Sequence, residues 1–203
     1  MFKVLRLLLL SATLSGTCNA LEIRRVAACS GIVLRLRGDF KEGDYARFKS
    51  HFRKKDAVIG LDLGSDGGDL EEGLQIANLV RRKKLSVYVA EECDSVCAFI
   101  FLTAAKRYLT QDPKIGVHSV SNSQDIEDLG SMRLTLRFAR LFAKLGIPES
   151  AIGKMVTTRP SDITYLDATD LSALDASVGN PYHYRLSATP SGVADEQQQS
   201  CSK

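Results

Sequence analysis

The sequence predicts an α/β protein in which helices cover a mostly parallel sheet. Strand-like segments alternate with amphipathic helix-like segments, glycine-containing turns lie between several of them, and one strand-like segment is apolar enough to be buried on both faces. This alternation is typical of βαβ units, whose helices cover both faces of a sheet. The 203 residues are enough for one domain with a substantial core.

The N-terminus has the features of a secretory signal peptide. Lys3 and Arg6 precede an apolar run over residues 7–14, and Cys18-Asn19-Ala20 offers a small-residue cleavage site. The apolar run is far shorter than the roughly 20 residues of a membrane-spanning helix. A lipid-modified Cys18 is less favoured, because Ser15-Gly16-Thr17 is a poor lipobox. We therefore expect the first 20 residues to be removed and the protein to be periplasmic or extracellular.

The rest of the chain divides into a domain over residues 21–187 and a tail over residues 188–203. The tail is rich in Ser and Gln, which predicts disorder. Without the leader the net charge falls from +3 to +1, because the leader carries two basic residues and no acidic ones. A protein this close to neutral is not expected to bind nucleic acid.

The first half of the domain contains two predicted strands, each followed by a predicted helix. Residues 32–36 alternate apolar and basic side chains and predict a strand, and residues 41–55 predict a helix. Residues 57–63 predict a buried strand. A helix over residues 69–84 begins with acids and ends with bases, which complements the helix dipole.

The second half continues the alternation. Residues 86–90 predict a strand, a helix follows to about residue 105, and residues 115–118 predict another short strand. Residues 131–145 predict a long amphipathic helix. Its basic stripe is Arg133, Arg137, Arg140 and Lys144. We interpret this helix as core on one side and solvated on the other; an oligomer contact or a membrane-surface helix is the alternative.

Ser95 stands where a predicted strand meets a predicted helix. At such a junction a hydroxyl can be exposed beside the free N–H groups of a helix start, which suits a nucleophile. Taken alone, Ser95 is better explained as a helix N-terminal residue, with Asp94 as the cap. The imidazole of His118, at the end of the strand over residues 115–118, is a candidate base, although a lone histidine is more often structural.

The turn Asp66-Gly67-Gly68 admits several interpretations. A calcium loop is excluded because Gly64 and Gly73 stand where oxygen ligands are needed. A dinucleotide loop is excluded because the G-x-G-x-x-G order is absent. What remains is either a plain βα turn or a bend whose N–H groups point into a cleft.

Four cysteines follow the leader, an even number that suits disulfides in an oxidising compartment. Cys93 and Cys97 are four residues apart, and on a helical turn this spacing brings the two Cα atoms within disulfide range. The C-x-x-C redox motif is absent, and no further Cys or His lies at zinc-ligand spacing, so we expect no metal. Pairing with Cys29 or Cys201 stays open.

Taken together, these motifs resemble the Clp protease proteolytic subunit and its ClpP/crotonase-fold relatives, above all exported proteins in which cysteines flank the serine. The resemblance extends over residues 32–178. It is carried, in order, by Leu63-Gly64-Ser65-Asp66-Gly67-Gly68, Gly73, Cys93-Asp94-Ser95-Val96-Cys97, Lys106-Arg107 and Ile115-Gly116-Val117-His118.

The resemblance implies a ClpP/crotonase-like fold built from repeated ββα and βαβ units, with a Ser-His-Asp triad. Ser95 matches the nucleophile and His118 the general base. Asp162 is the favoured third member; Asp167 is the alternative and is better explained as a helix cap. The backbone N–H groups of Gly68 and Val96 would form the oxyanion hole.

The resemblance also sets expectations for activity and partners. We expect an exported serine peptidase that acts on peptides or proteins, needs no cofactor and forms a homo-oligomer. The signal peptide argues against a cytoplasmic ATPase partner. A non-catalytic binding protein on the same scaffold and an esterase with the same triad are the alternatives.

Overall fold

The computed structural model describes residues 20–122, 124 and 126–182. The predicted signal peptide up to residue 19, the predicted tail and Cys201 lie outside the described residues, so the expectations for them stay predictions, as do the domain limits. No described helix is both long and apolar enough to cross a bilayer.

Eight strands and six α-helices make up the described part of the chain, with a short 3-10 turn at His51–Arg53. In chain order they are β1 (Glu22–Ala28), β2 (Gly31–Arg37), α1 (Asp44–Ser50), β3 (Val58–Ser65), α2 (Leu70–Arg82), β4 (Ser86–Asp94), α3 (Val96–Thr103), β5 (Lys106–Leu109), β6 (Lys114–Val117), α4 (Leu129–Lys144), α5 (Glu149–Thr157), β7 (Thr164–Tyr165), α6 (Ala168–Ala173) and β8 (Ser177–Val178).

The strands form one mostly parallel sheet in the order β1-β2-β3-β4-β5-β8. Strands β2 to β5 and β8 run parallel, while β1 forms an antiparallel hairpin with β2. Strand β4 pairs with β5 along its first half and with β6 at its end, and β7 lies antiparallel to β6. The predicted α/β class with a parallel sheet is confirmed.

The two faces of the sheet differ in what covers them. On one face Leu34 and Leu36 join a large core with residues from all the long helices. On the other face, Arg35 and Arg37 bind Asp62 at 2.8 and 2.7 Å. A smaller cluster on that face contains strand residues and Tyr182, and no residue of a described helix. The strand–helix alternation predicts helices on both faces; the alternation of apolar and basic residues in β2 explains why one face is polar instead.

Helix boundaries differ from the predicted ones where capping residues act. Helix α4 begins two residues earlier than predicted, because the Asp128 carboxylate accepts a hydrogen bond from the Ser131 N–H (2.8 Å) and the Ser131 hydroxyl accepts one from the Asp128 N–H (2.8 Å). Helix α2 begins after Asp69, whose carboxylate accepts from the Glu72 N–H. Strands β1, β5, β7 and β8 were not predicted.

Candidate active site

Ser95 occupies a single-residue turn between β4 and α3, and its backbone is strained. Its φ of 56° and ψ of −122° lie in a region that residues with a side chain rarely adopt. Such a conformation costs about 1–3 kcal/mol and persists only where the surroundings impose it. Here the Ser95 N–H donates to the Gly116 carbonyl of β6 at 2.9 Å, which ties the turn to the neighbouring strand. Ser95 is half-buried, and its side chain makes no capping hydrogen bond.

The sulfurs of Cys93 and Cys97 lie 2.03 Å apart, at bonding distance, on either side of this turn. Both residues are fully buried. Cys93 belongs to β4 and Cys97 to the first turn of α3, so the bridge holds the strand end and the helix start together. It thereby opposes relaxation of the strained Ser95 backbone.

The glycine turn after β3 lies directly against Ser95. Gly67 and Gly68 have φ of 118° and 120°, which a side chain would oppose. A Cβ on Gly67 would stand 2.8 Å from the Ser95 Cβ. Phe40 holds the turn in place, because its N–H donates to the Gly67 carbonyl and its own carbonyl accepts from the Asp69 N–H, both at 2.8 Å. A plain connecting turn would not need this close approach.

Two backbone N–H groups beside Ser95 are available to a ligand. Val96 is the first residue of α3, so its N–H has no acceptor within the helix. The Gly68 N–H donates no hydrogen bond to any described residue. These are the two amides predicted to form the oxyanion hole.

A small cleft of about 70 Å³ brings the predicted site residues together. Ser95, His118 and Gly68 all line it. The other lining residues are Leu70, Phe99, Ser119, Val120 and Ser121. Each of the three site residues follows the carboxyl end of a strand, and the strands concerned, β3, β4 and β6, are neighbours in the sheet.

The His118 ring is oriented by its own neighbour in the chain. Its Nδ1 lies 2.7 Å from the Ser119 carbonyl oxygen. A carbonyl only accepts, so Nδ1 carries the proton in a neutral ring and the lone pair lies on Nε2. Among the described residues, no hydrogen bond joins Ser95 Oγ to the ring. Catalytic hydrogen bonds are often long without substrate and shorten in the complex.

No hydrogen bond or ion pair joins Asp162 to His118 in the described part of the chain. The Asp162 carboxylate accepts hydrogen bonds from Arg159 at 2.9 Å and from the Ser161 hydroxyl at 3.2 Å, and its side chain is 47% exposed. These residues lie on the loop between α5 and β7, where the Arg159 ion pair holds the carboxylate in solvent. Asp162 as the third member of the triad therefore stays a prediction of the resemblance, without a supporting contact from the described residues.

Asp167 is a helix cap, which confirms that interpretation of it. Its carboxylate accepts from the N–H groups of Thr169 and Asp170 at the start of α6. It also forms a 2.7 Å ion pair with Lys154.

Sequence reasoning missed the environment of Asp94, the residue before the serine. Asp94 is only 6% exposed, and its Oδ1 has no hydrogen-bond partner among the described residues. Burial, with the negative charges of Glu92 and Asp66, raises the pKa of Asp94 to about 7. Asp94 does not cap α3, because the cap position belongs to Ser95.

The surroundings of Asp94 are polar on one side. The Tyr165 hydroxyl of β7 donates to Glu92, and this bond raises the pKa of Tyr165 to about 12. Lys114 of β6 lies 3.5 Å from the other Glu92 oxygen. A carboxyl adjacent to a candidate nucleophile is visible in the sequence, but the carboxyl lies against Gly116 of β6, which comes later in the chain.

Comparison with solved structures identifies the fold. No family model and no curated protein sequence matches the chain. ClpP1 from Listeria monocytogenes matches with a TM-score of 0.54 and 18% identity, over 73% of this chain and 91% of that one. A point mutant of the same ClpP1 matches with a TM-score of 0.56 and 16% identity, over 73% and 92%.

A third solved structure is a point mutant of 1510-N, a membrane-bound stomatin-specific protease. It matches with a TM-score of 0.52 and 14% identity, over 71% of this chain and 77% of that one. At these identities the matches establish the fold, which is ClpP-like, as the sequence resemblance predicted.

Proposed function

We propose that this chain is an exported, ATP-independent serine peptidase with Ser95 as nucleophile and His118 as general base. The observation that carries the proposal is the cleft shared by Ser95, His118 and Gly68, in which the serine has a strained backbone. Two of the solved structures that share the fold are ClpP1, and the third is described as a protease. Backbone strain at a half-buried serine that shares a cleft with an imidazole is typical of a functional site.

The geometry allows an acyl-transfer mechanism. The Ser95 hydroxyl attacks the peptide carbonyl carbon while His118 Nε2 takes the hydroxyl proton. The N–H groups of Gly68 and Val96 donate to the oxyanion of the tetrahedral intermediate, and one such donor typically lowers the barrier by about 3 kcal/mol. His118 then gives the proton to the leaving amine. Water, deprotonated by His118, hydrolyses the acyl-enzyme and restores the serine.

The Ser119 carbonyl supplies the orientation that an aspartate gives in a triad. It accepts from Nδ1–H and so leaves the Nε2 lone pair for Ser95. The resemblance assigns this role to Asp162 instead, and the variant Asp162→Asn decides between the two. If Asp162 were the triad aspartate, this substitution would lower kcat by about 10⁴-fold. From the contacts we expect less than about a threefold change, because an exposed carboxylate that binds Arg159 contributes little.

Export and oligomerisation are part of the proposal and rest on the sequence. The leader supports export, and the N-terminal mass of protein recovered from a periplasmic fraction tests it. A homo-oligomer is inferred from the ClpP resemblance, and sedimentation velocity of the processed protein tests it.

A fluorophosphonate probe tests the catalytic assignment. We expect the wild type to be labelled at Ser95 and Ser95→Ala to be unlabelled. Ser121→Ala is the matched control, because its hydroxyl lines the same cleft without a strained backbone, and labelling of this variant should persist. His118→Ala should label at least about 100-fold more slowly, since it lacks the general base.

The outcomes separate the alternative functions. Labelling with turnover of peptides supports a peptidase, whereas labelling with turnover of esters alone would assign an esterase. A folded, oxidised wild type that is not labelled would refute the catalytic proposal and favour a binding protein on this scaffold.

A further inference from the structure

Helix α4 packs against the rest of the protein along one side. Its four buried residues are Ser131, Thr135, Phe138 and Phe142. The rings of Phe138 and Phe142 lie 5.1 and 5.2 Å from that of Phe99 in α3. The Thr135 hydroxyl accepts from the Val120 N–H at 2.9 Å. The core that the sequence predicted for this helix is therefore present, but it uses only part of the apolar side chains.

A second row of apolar side chains on α4 faces outward. Leu129, Met132 and Leu136 are 72%, 47% and 51% exposed. Their spacing of three and four residues places them on one line over two turns. Ile126, just before the helix, is 57% exposed. Single exposed leucines are ordinary, but an aligned set is a surface patch that indicates an interaction.

A basic row runs beside this apolar row. Its members are Arg133, Arg137, Arg140 and Lys144, all exposed and spaced by four, three and four residues. The 16 residues of α4 contain no acid. None of the four cations forms an ion pair or a side-chain hydrogen bond with a described residue. Arg133 and Arg137 directly follow Met132 and Leu136, so the basic row lies about 100° around the helix from the apolar one.

We propose that α4 docks onto the surface of an anionic lipid bilayer. Leu129, Met132 and Leu136 enter the interface, and the basic row binds lipid phosphates beside them. A helix with an apolar row flanked by Lys and Arg is suited to lie in the plane of a bilayer surface. Each basic side chain near such a surface adds an electrostatic attraction, which salt screens over a distance of about 10 Å.

The charge of α4 favours a lipid surface over a second copy of the chain. In an antiparallel two-fold contact through this patch, both basic rows would lie on the same side of the interface and approach each other. With no acid in either helix to offset it, that approach is repulsive. An anionic surface supplies the opposite charge along the whole row.

Flotation with lipid vesicles tests the proposal. The experiment uses the protein as exported by the expressing cells, and mass spectrometry determines its N-terminus. The vesicles are phosphatidylcholine alone or phosphatidylcholine with phosphatidylglycerol. We expect binding to the anionic vesicles and little to the neutral ones. The double variant Arg133→Gln/Arg137→Gln should bind about 30-fold more weakly, since each cation contributes about fivefold. Met132→Gln/Leu136→Gln should also lose binding.

The matched control is Arg81→Gln/Arg82→Gln at the exposed end of α2, which changes the net charge by the same amount and should bind like the wild type. Unchanged unfolding midpoints would show that all the variants fold. Equal losses in the α2 and α4 variants would overturn the proposal, because attraction would then be non-specific. Equal binding to neutral vesicles, or a stable oligomer that the α4 variants dissociate, would also overturn it. Fluorophosphonate labelling of the α4 variants should stay at the wild-type rate, so this proposal and the catalytic one fail separately.

Discussion

Replacement of Asp94 by Asn should make the protein more stable at neutral and alkaline pH. The pKa of Asp94 is raised from 3.8 to about 7 in the folded protein. The folded state therefore holds a proton that the unfolded state releases above pH 4. The contribution of Asp94 to the free energy of unfolding therefore falls as pH rises from about 4 to about 7 and is constant above that. The total decrease from this group is at most about 4 kcal/mol. Asn removes this penalty while keeping the shape of the side chain.

The assay is urea unfolding of the oxidised protein at a series of pH values. The difference in free energy of unfolding between Asp94→Asn and wild type should grow across pH 4–7 and then level off. Any constant offset reflects the new amide and does not affect the test. The control is Asp112→Asn at an exposed site, and its free energy of unfolding should differ from that of the wild type by the same amount at every pH. A pH-independent difference for Asp94→Asn would refute the reasoning, because the carboxyl would then be ionised in the folded state.

Two further predictions concern the serine turn. Gly67→Ala should lower the rate of fluorophosphonate labelling at least tenfold, because the φ of Gly67 is positive and the new methyl group would clash with the Ser95 Cβ. The control is Gly153→Ala, whose new methyl group has no neighbouring atom within 4 Å. This variant should be labelled at the normal rate and be more stable by about 0.5–1 kcal/mol. A normal rate for Gly67→Ala would contradict the close packing. Replacing both Cys93 and Cys97 by Ala should lower the free energy of unfolding, measured in urea, by about 2 kcal/mol, as expected for a disulfide that closes a short loop. Free thiols at these positions in peptide maps of the wild type would contradict this prediction.

The parts of the site that follow parallel strands could be predicted from the sequence. Gly68, Ser95 and His118 each follow a segment with a strand pattern, and the carboxyl ends of neighbouring parallel strands meet at one edge of the sheet. The disulfide spacing was equally local. These features depend on residues that are close in sequence, so their geometry is largely set by the strand ends.

Three other features of the site have no reliable signal in the local sequence. Asp162 was assigned by its position before the last helix, but its carboxylate binds Arg159, three residues away. The Ser119 carbonyl has no sequence signature, since any residue has one. The Asp94 carboxylate is buried against Gly116 of β6, a contact that no local sequence pattern predicts.

Strand β4 exchanges one partner for another along its length, and this has a consequence for how the protein can vary. Residues 110–113 connect β5 to β6, and both of those strands are aligned by β4 itself. The first residue of the connection, Thr110, also donates hydrogen bonds to the β4 carbonyls of Val89 and Ala90. The pairing of Asp94 with Gly116 then sets the distance between the serine and the histidine that follow. Residues added to this connection after Thr110 would leave that pairing, and so that distance, unchanged. The connection is accordingly a place where a homologue can gain a new loop, or an engineer can insert one, without rebuilding the chemistry.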